Sequence, residues 1–280
     1  MPYSAEISRD NRTAFLFVID QSGSMDERPE GGGRMKSEFV ADVLNKTVYT
    51  LVTNCTKADG VRDYFDVGVI GYGGLGVAGG LGGSLSGGVV HPIGAVADSP
   101  VRVEERERSV DDGAGGIVKQ KTKFPVWFDP RNEGGTPMRA ALTRAAEVIA
   151  DWCDAHPNSY PPTILHVTDG ESTDGDPEDV ADALRELHTG DGSVLLFNLH
   201  VSTRGGHEIV FPAGESGLVD DYSRRLFRMS SPLPPHLAKL AGEKGYEVAS
   251  GARGFIFNAD PKLIVDFFDI GTRPRLTADR

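Results

Sequence analysis

Two periodicities of hydrophobic and polar positions alternate along the chain. Unbroken apolar runs bounded by turn residues stand at Ala14–Ile19 (AFLFVI), Phe65–Ile70 (FDVGVI), Thr163–Val167 (TILHV) and Val194–Val201 (VLLFNLHV), with a shorter FIFN run at Phe255–Asn258. Runs with no polar face suit strands covered on both sides, as in a parallel sheet sandwiched by helices. Between them, apolar residues recur at three- and four-residue steps and form single helical stripes. The first stripe is Phe39, Val40, Val43, Leu44, Val48, Leu51, Val52 and Cys55; the second is Met138, Ala141, Leu142, Ala145, Ile149 and Trp152. A third, Val180, Ala183, Leu184 and Leu187, follows an Asp176–Pro177 turn, and shorter ones fall at Leu237–Ala241 and Leu263–Phe268. This alternation predicts an α/β fold: a doubly wound, mostly parallel sheet flanked by helices.

The rhythm breaks between Gly71 and Pro130. A glycine-dense stretch (GYGGLGVAGGLGGSLSGG) has no GxxxxGK[ST] pattern and opens no amphipathic helix, so it reads as a surface loop rather than a phosphate cradle. VRVEERERSV and GIVKQKTKFPVWF then flank a DDGAGG turn. They predict a hairpin whose facing acidic and basic side chains pair. Trp127 and Phe128 are expected to anchor this insertion on the core. With no repeat and no linker, residues 1–280 are expected to form one domain with a core of about 13–270, enlarged by insertions at about 71–130 and 202–235.

Composition narrows the possible partners. The chain of 280 residues holds 29 Lys+Arg against 41 Asp+Glu, a formal net charge of −12 at pH 7. That balance argues against a general nucleic-acid surface, which needs clustered cations to displace counterions from phosphates. No run approaches the roughly 18 apolar residues of a membrane span. The opening MPYSAEISRDNR carries no apolar signal segment, so a cytoplasmic location is expected. Cys55 and Cys153 fall inside helical stripes and read as buried thiols. His166 and His200, inside strand runs, read as packed residues.

Candidate chemistry gathers in three polar clusters, each beside the end of an element. Asp20-Gln21-Ser22-Gly23-Ser24-Met25 follows the first strand, Gly134-Gly135-Thr136-Pro137-Met138 precedes the second helical stripe, and Thr168-Asp169-Gly170-Glu171 follows the TILHV strand. In open α/β sheets, ligands bind outside the carboxyl ends of strands, where the strand order reverses. The two carboxylates, Asp20 and Asp169, and the three hydroxyls, Ser22, Ser24 and Thr136, are hard oxygen donors suited to Mg2+ or Mn2+. Positions two apart in an extended turn point the same way, so Asp20, Ser22 and Ser24 can converge. Thr136 also suits a helix N-cap, with Pro137 as the first helical residue. Asp26, Glu27, Glu171, Ser172 and Asp174 are rim residues that either tune partner choice or simply solvate the loops.

Asp20-x-Ser22-x-Ser24, Thr136, and Asp169 in TDG, with FLFVID before the first cluster and EGGTPM around the second, resemble the metal-ion-dependent adhesion site of von Willebrand factor type A domains. The resemblance implies that family's fold from about Thr13 to about Asp269. It also implies a bound Mg2+ (or Mn2+) coordinated directly by Ser22 and Ser24. Thr136 would bind directly or through water, and Asp20 and Asp169 would hold ligated water or the ion itself. The implied output is protein binding, in which a partner's Asp or Glu completes the ion's shell. The chain is similar to the bacterial intracellular type, including tellurium-resistance-associated proteins. That implies an adaptor in a stress-response or signalling assembly, with a subunit partnering an AAA+ ATPase as an alternative.

A Mg2+-dependent hydrolase or phosphatase is the competing class. Asp20 is followed by Gln21-Ser22 and not by a second carboxylate two residues on that could serve as acid or base. No Lys or Arg lies within the three clusters, Arg131 and Arg139 standing only at their margins, whereas phosphoryl transfer needs cations to clamp its oxygens. The expectation is a non-enzymatic module.

Overall fold

The computed structural model describes residues 2–28, 32–111, 117–202 and 207–273. In chain order, β1 (Thr13–Gln21), α1 (Lys36–Cys55) and β2 (Phe65–Gly73) lead into β3 (Gly76–Gly79), β4 (Val90–Pro92) and α2 (Ile93–Asp98). A hairpin of β5 (Arg102–Asp111) and β6 (Ile117–Val126) follows, then α3 (Met138–Ala155), β7 (Thr163–Thr168), α4 (Glu178–Glu186) and β8 (Leu195–Val201). The chain continues through β9 (Ile209–Val210), α5 (Asp221–Met229), α6 (Pro235–Glu243), β10 (Phe255–Ala259) and α7 (Pro261–Gly271).

The main sheet runs β9–β10–β8–β7–β1–β2–β3, with β4 also beside β2. Its centre is parallel: β1 with β2 and β7, β7 with β8, and β8 with β10. Only β3, β4 and β9 at the margins pair antiparallel. This is the expected mostly parallel α/β sheet.

Each buried strand feeds two cores because successive side chains point to opposite faces. Phe15, Phe17 and Ile19 join one core with residues of α1, α2, α6 and α7, while Ala14, Leu16 and Val18 join another with α3, α4 and α5. The unbroken AFLFVI run follows directly from this two-sided burial.

From β1 the chain moves outward to β2 and later returns to lay β7 on the other side of β1. The strand order therefore reverses at β1, and the loop leaving it opens into the crevice where such sheets bind ligands.

Three local expectations need correction. Part of the glycine-dense stretch is sheet rather than surface loop, since Gly76–Gly79 pairs with Ile70–Gly73. Glycine's high backbone entropy and missing side chain hid that strand from a pattern search. Between 202 and 235, α5 escaped notice because Arg224, Arg225 and Arg228 interrupt its apolar positions, although Tyr222, Leu226, Phe227 and Met229 are buried. Thr136 does not cap α3: the N-cap position is Pro137, and no side chain there makes a capping bond. Asp174 supplies that function from another loop, accepting from Arg139 N–H (3.0 Å) and Ala140 N–H (2.9 Å).

The hairpin forms as expected. Glu107 receives Lys119 (3.0 Å) and Glu105 receives Lys121 (3.3 Å). Trp127 and Phe128 are buried at its base, where the Asn45 Oδ1 accepts both of their backbone N–H groups and Trp127 Nε1 donates to Val96 O. Cys55 and Cys153 are buried free thiols, and burial pushes them up to about 12 and about 11. Among the described residues no helix is long and apolar enough to cross a membrane.

Candidate metal centre

The three polar clusters meet through their backbones. Gly23 N–H donates to Gly134 O (2.9 Å), joining the loop after β1 to the loop before α3. Thr136 N–H donates to Thr173 Oγ1 (2.9 Å) and Thr173 N–H to Thr136 O (2.9 Å), joining that loop to the segment after β7. Glu133 N–H donates to Gln21 O and Gly74 N–H to Glu133 O, which pins the same loop to the ends of β1 and β2. Gly134 has φ +69°, and a Cβ there would collide with Gly74 Cα. Only glycine fits that crossing.

On this frame the five predicted residues come together. Asp20 Oδ1 accepts Ser22 N–H (2.8 Å), closing an Asx turn that fixes the direction of the loop. Ser22 Oγ and Ser24 Oγ lie 3.2 Å apart, and the Ser24 hydroxyl donates to Asp169 Oδ1 (2.7 Å). A Cβ built on Gly170 would stand 3.8 Å from Ser24 Oγ and 4.0 Å from Thr136 Oγ1, so the Thr136 hydroxyl borders the same spot. Asp20, Ser22 and Thr136 are buried, while Ser24 is exposed and opens the cluster to solvent.

Electrostatics separate the two carboxylates. Asp20 is 1% exposed, and burial, together with the like charge of Asp169, pushes it up to about 6. Hydrogen bonds from Ser22 and Thr168 work against that rise, Thr168 Oγ1 donating to Asp20 Oδ2 at 2.8 Å. No Lys, Arg or His forms an ion pair with Asp20 among the described residues. Asp169 is instead paired with Lys36, whose Nζ donates to its Oδ2 at 2.8 Å.

Lys36 is the residue that pattern reading missed. The sequence placed no cation within the clusters, yet the first turn of α1 delivers one. Nothing in the local sequence marks it, because its meeting with Asp169 joins segments 133 positions apart. Of the marginal arginines, Arg139 is held by Asp179 and by Asp176 O.

The surroundings are polar beneath and open above. Under the site, Tyr72 Oη meets His166 Nε2 (2.7 Å) and His166 Nδ1 meets Asn198 Oδ1 (2.8 Å). Burial carries His166 down to about 4, as expected for a packed residue. His200 stacks on Phe257 and is only half-buried. With Ser24, Glu27, Lys36, Asp169 and Asn258 it lines a cleft of about 330 Å3 on the solvent side.

The donor chemistry fits a hard cation. Five oxygen-bearing side chains converge, one being a buried carboxylate without a counter-charge among the described residues, the kind of group that a divalent ion stabilises. Among the described residues no group of three or more His, Cys, Asp or Glu could hold a metal, so any ion here depends on the serine and threonine hydroxyls.

Fold and site together define an open, mostly parallel α/β-sheet protein with a cluster of oxygen-bearing side chains beside a polar cleft at its strand-order reversal. No family model and no curated protein sequence matches the chain. Among solved structures it is similar to the pilus adhesin SpaC from Lactobacillus rhamnosus GG, at TM-score 0.49 and 12% identity over 92% of this chain. It is also similar to the minor pilin PilB of Streptococcus sanguinis, at 0.45 and 11% over 96% of this chain. A manganese-loaded TRAP protein of Plasmodium vivax scores 0.33 at 13% identity over 68% of this chain. The chain spans 30%, 61% and 57% of those three chains, respectively.

Proposed function

We propose that the chain is a divalent-metal-dependent protein-binding module. Asp20, Ser22, Ser24, Thr136 and Asp169 would hold Mg2+ or Mn2+, and an Asp or Glu from a partner would approach through the cleft beside Ser24. The observation that carries this reading is Asp20: a carboxylate buried to 1% exposure, without an ion pair among the described residues, at the base of a cluster of oxygen donors. When bound, the ion would supply positive charge that attracts an external carboxylate. The chain's own residues fix where that charge sits. The adaptor role in a bacterial stress-response or signalling assembly, and a cytoplasmic setting, extend this reading on the sequence resemblance alone.

Catalysis is the less supported alternative. Lys36 is the cation nearest the cluster, and it is engaged by Asp169 and Glu27 rather than turned toward a substrate. Calorimetric titration with Mg2+ and Mn2+ tests the centre: wild type binds, and Asp20→Ala loses binding by at least about a hundredfold with its circular dichroism unchanged. Equal binding by both proteins would remove the metal centre. Affinity capture in Mg2+ and in EDTA then tests the output, with a partner retained only in Mg2+ as the expected result. Phosphate release from generic phosphoesters, abolished by the same substitution, would transfer the site to the enzyme class.

A further inference from the structure

Lys36 lies 133 positions from Asp169 in sequence, yet its ammonium meets that carboxylate. Nζ donates to Asp169 Oδ2 (2.8 Å) and to Glu27 Oε2 (2.7 Å). Its side chain is 6% exposed and that of Asp169 is 0% exposed. The second Asp169 oxygen, Oδ1, receives the Ser24 hydroxyl. One carboxylate is thus divided between the oxygen cluster and a fixed cation.

The backbone holds this cation in place. Lys36 N–H donates to Glu27 O (3.1 Å), and the Glu38 carboxylate accepts Met35 N–H (2.9 Å) across the first turn of α1. Such a buried, doubly anchored ammonium differs from a surface lysine, which swings freely and is screened by salt.

Resting on the metal-centre reading above, we propose that Lys36 is a resident counter-cation of the site, competing electrostatically with a divalent ion for the charge of Asp169. A fixed positive charge beside one of two carboxylates offsets part of what draws the ion in. Poor screening in a buried setting makes that offset large. The ion is held less tightly, and it keeps more residual positive charge for an acidic partner. The protein's own chain therefore sets the site toward reversible loading.

The test is Mn2+ titration of the full chain, followed by calorimetry and by the electron paramagnetic resonance signal of free Mn2+. Lys36→Met and Lys36→Gln are expected to bind Mn2+ at least about tenfold more tightly than wild type, while Lys36→Arg stays close to wild type. Glutamine can still hydrogen-bond both carboxylates, so it serves if burying methionine there prevents folding. Unchanged or weaker binding by both neutral variants, with wild-type binding intact and lost in Asp20→Ala, would overturn the counter-cation and leave the metal centre standing. Binding by the neutral variants alone would support the role in its strongest form. Absence of Mn2+ binding from wild type and every Lys36 variant would overturn the centre and this role together.

Discussion

Asp42, where α1 meets the hairpin, is 8% exposed and touches three cations: Arg34 (3.1 Å), Lys46 (2.8 Å) and Arg106 (2.5 Å). Asp20, at the strand ends, is 1% exposed and, among the described residues, accepts from the Ser22 N–H and the Thr168 hydroxyl without an ion pair. Burial pushes both carboxylates upward. At Asp42 it is overcome by Lys46 and Arg106, which hold the group below its ordinary value. At Asp20 nothing overcomes it, and the group rises to about 6. The first region satisfies its charge from within the chain and is structurally complete. The second keeps a buried carboxylate without an ion pair among the described residues, and a strongly perturbed group of that kind is the physical mark of a candidate functional site.

The largest expected effect lies in that unmatched charge. In EDTA at pH 7, Asp20→Asn should be more stable than wild type by up to about 3 kcal/mol, because a rise from 3.8 to about 6 opposes ionisation in the folded state. Since the folded value lies above the unfolded one, this contribution favours folding below pH 3.8 and is lost as pH rises through about 6. Wild type should therefore weaken relative to the variant across that window. Denaturant titrations at several pH values measure it, and Mn2+ should restore stability to wild type only. Equal stability in EDTA at every pH would mean that Asp20 is as well matched as Asp42.

A smaller effect is expected where the chain supplies its own cations. Arg106 pairs with Asp42 and lies over the Phe124 ring, 3.7 Å from its centroid. Arg106→Met leaves Arg34 and Lys46 on the carboxylate, so the loss should be about 1 kcal/mol, with Mn2+ affinity unchanged. A denaturation midpoint shift equivalent to about 3 kcal/mol or more would show that Arg106 alone matches the Asp42 charge. A change in Mn2+ affinity would show that the two regions are coupled.

What the sequence disclosed follows the same division. Elements buried on both faces left unbroken apolar runs, so β1, β2, β7, β8 and β10 were legible, as were the stripes of α1 and α3. That Asp20, Ser22, Ser24, Thr136 and Asp169 lie near one another could be anticipated from their short spacings and from their places beside element ends. α5 was not legible, since three arginines blur its stripe, and the Gly76–Gly79 strand has too few side chains to show a pattern. Lys36 was illegible for a different reason. Its meeting with Asp169 spans 133 positions and exists only once α1 has packed on the sheet. The Asp174 cap on α3 arises the same way, from a loop 34 and 35 positions downstream of the N–H groups it receives. Local pattern reveals what a segment will become; pairings between distant segments appear only in the fold.

The smallest effect belongs to the outer hairpin. Lys121 and Glu105 are paired at 3.3 Å, yet their side chains are 70% and 68% exposed. Water solvates both groups almost as well apart as together, and ordering two long side chains offsets much of the remaining attraction. Lys121→Ala should consequently change stability by no more than about 0.5 kcal/mol, whereas the buried Asp20 and Asp42 respond by more. Measured at low and high salt, the difference should shrink further as screening increases. A loss above about 1 kcal/mol that persists in high salt would show that the ladder of ion pairs holds the hairpin on α1. The contrast would then lie in whether charges are paired at all, and burial would cease to be what separates the two regions.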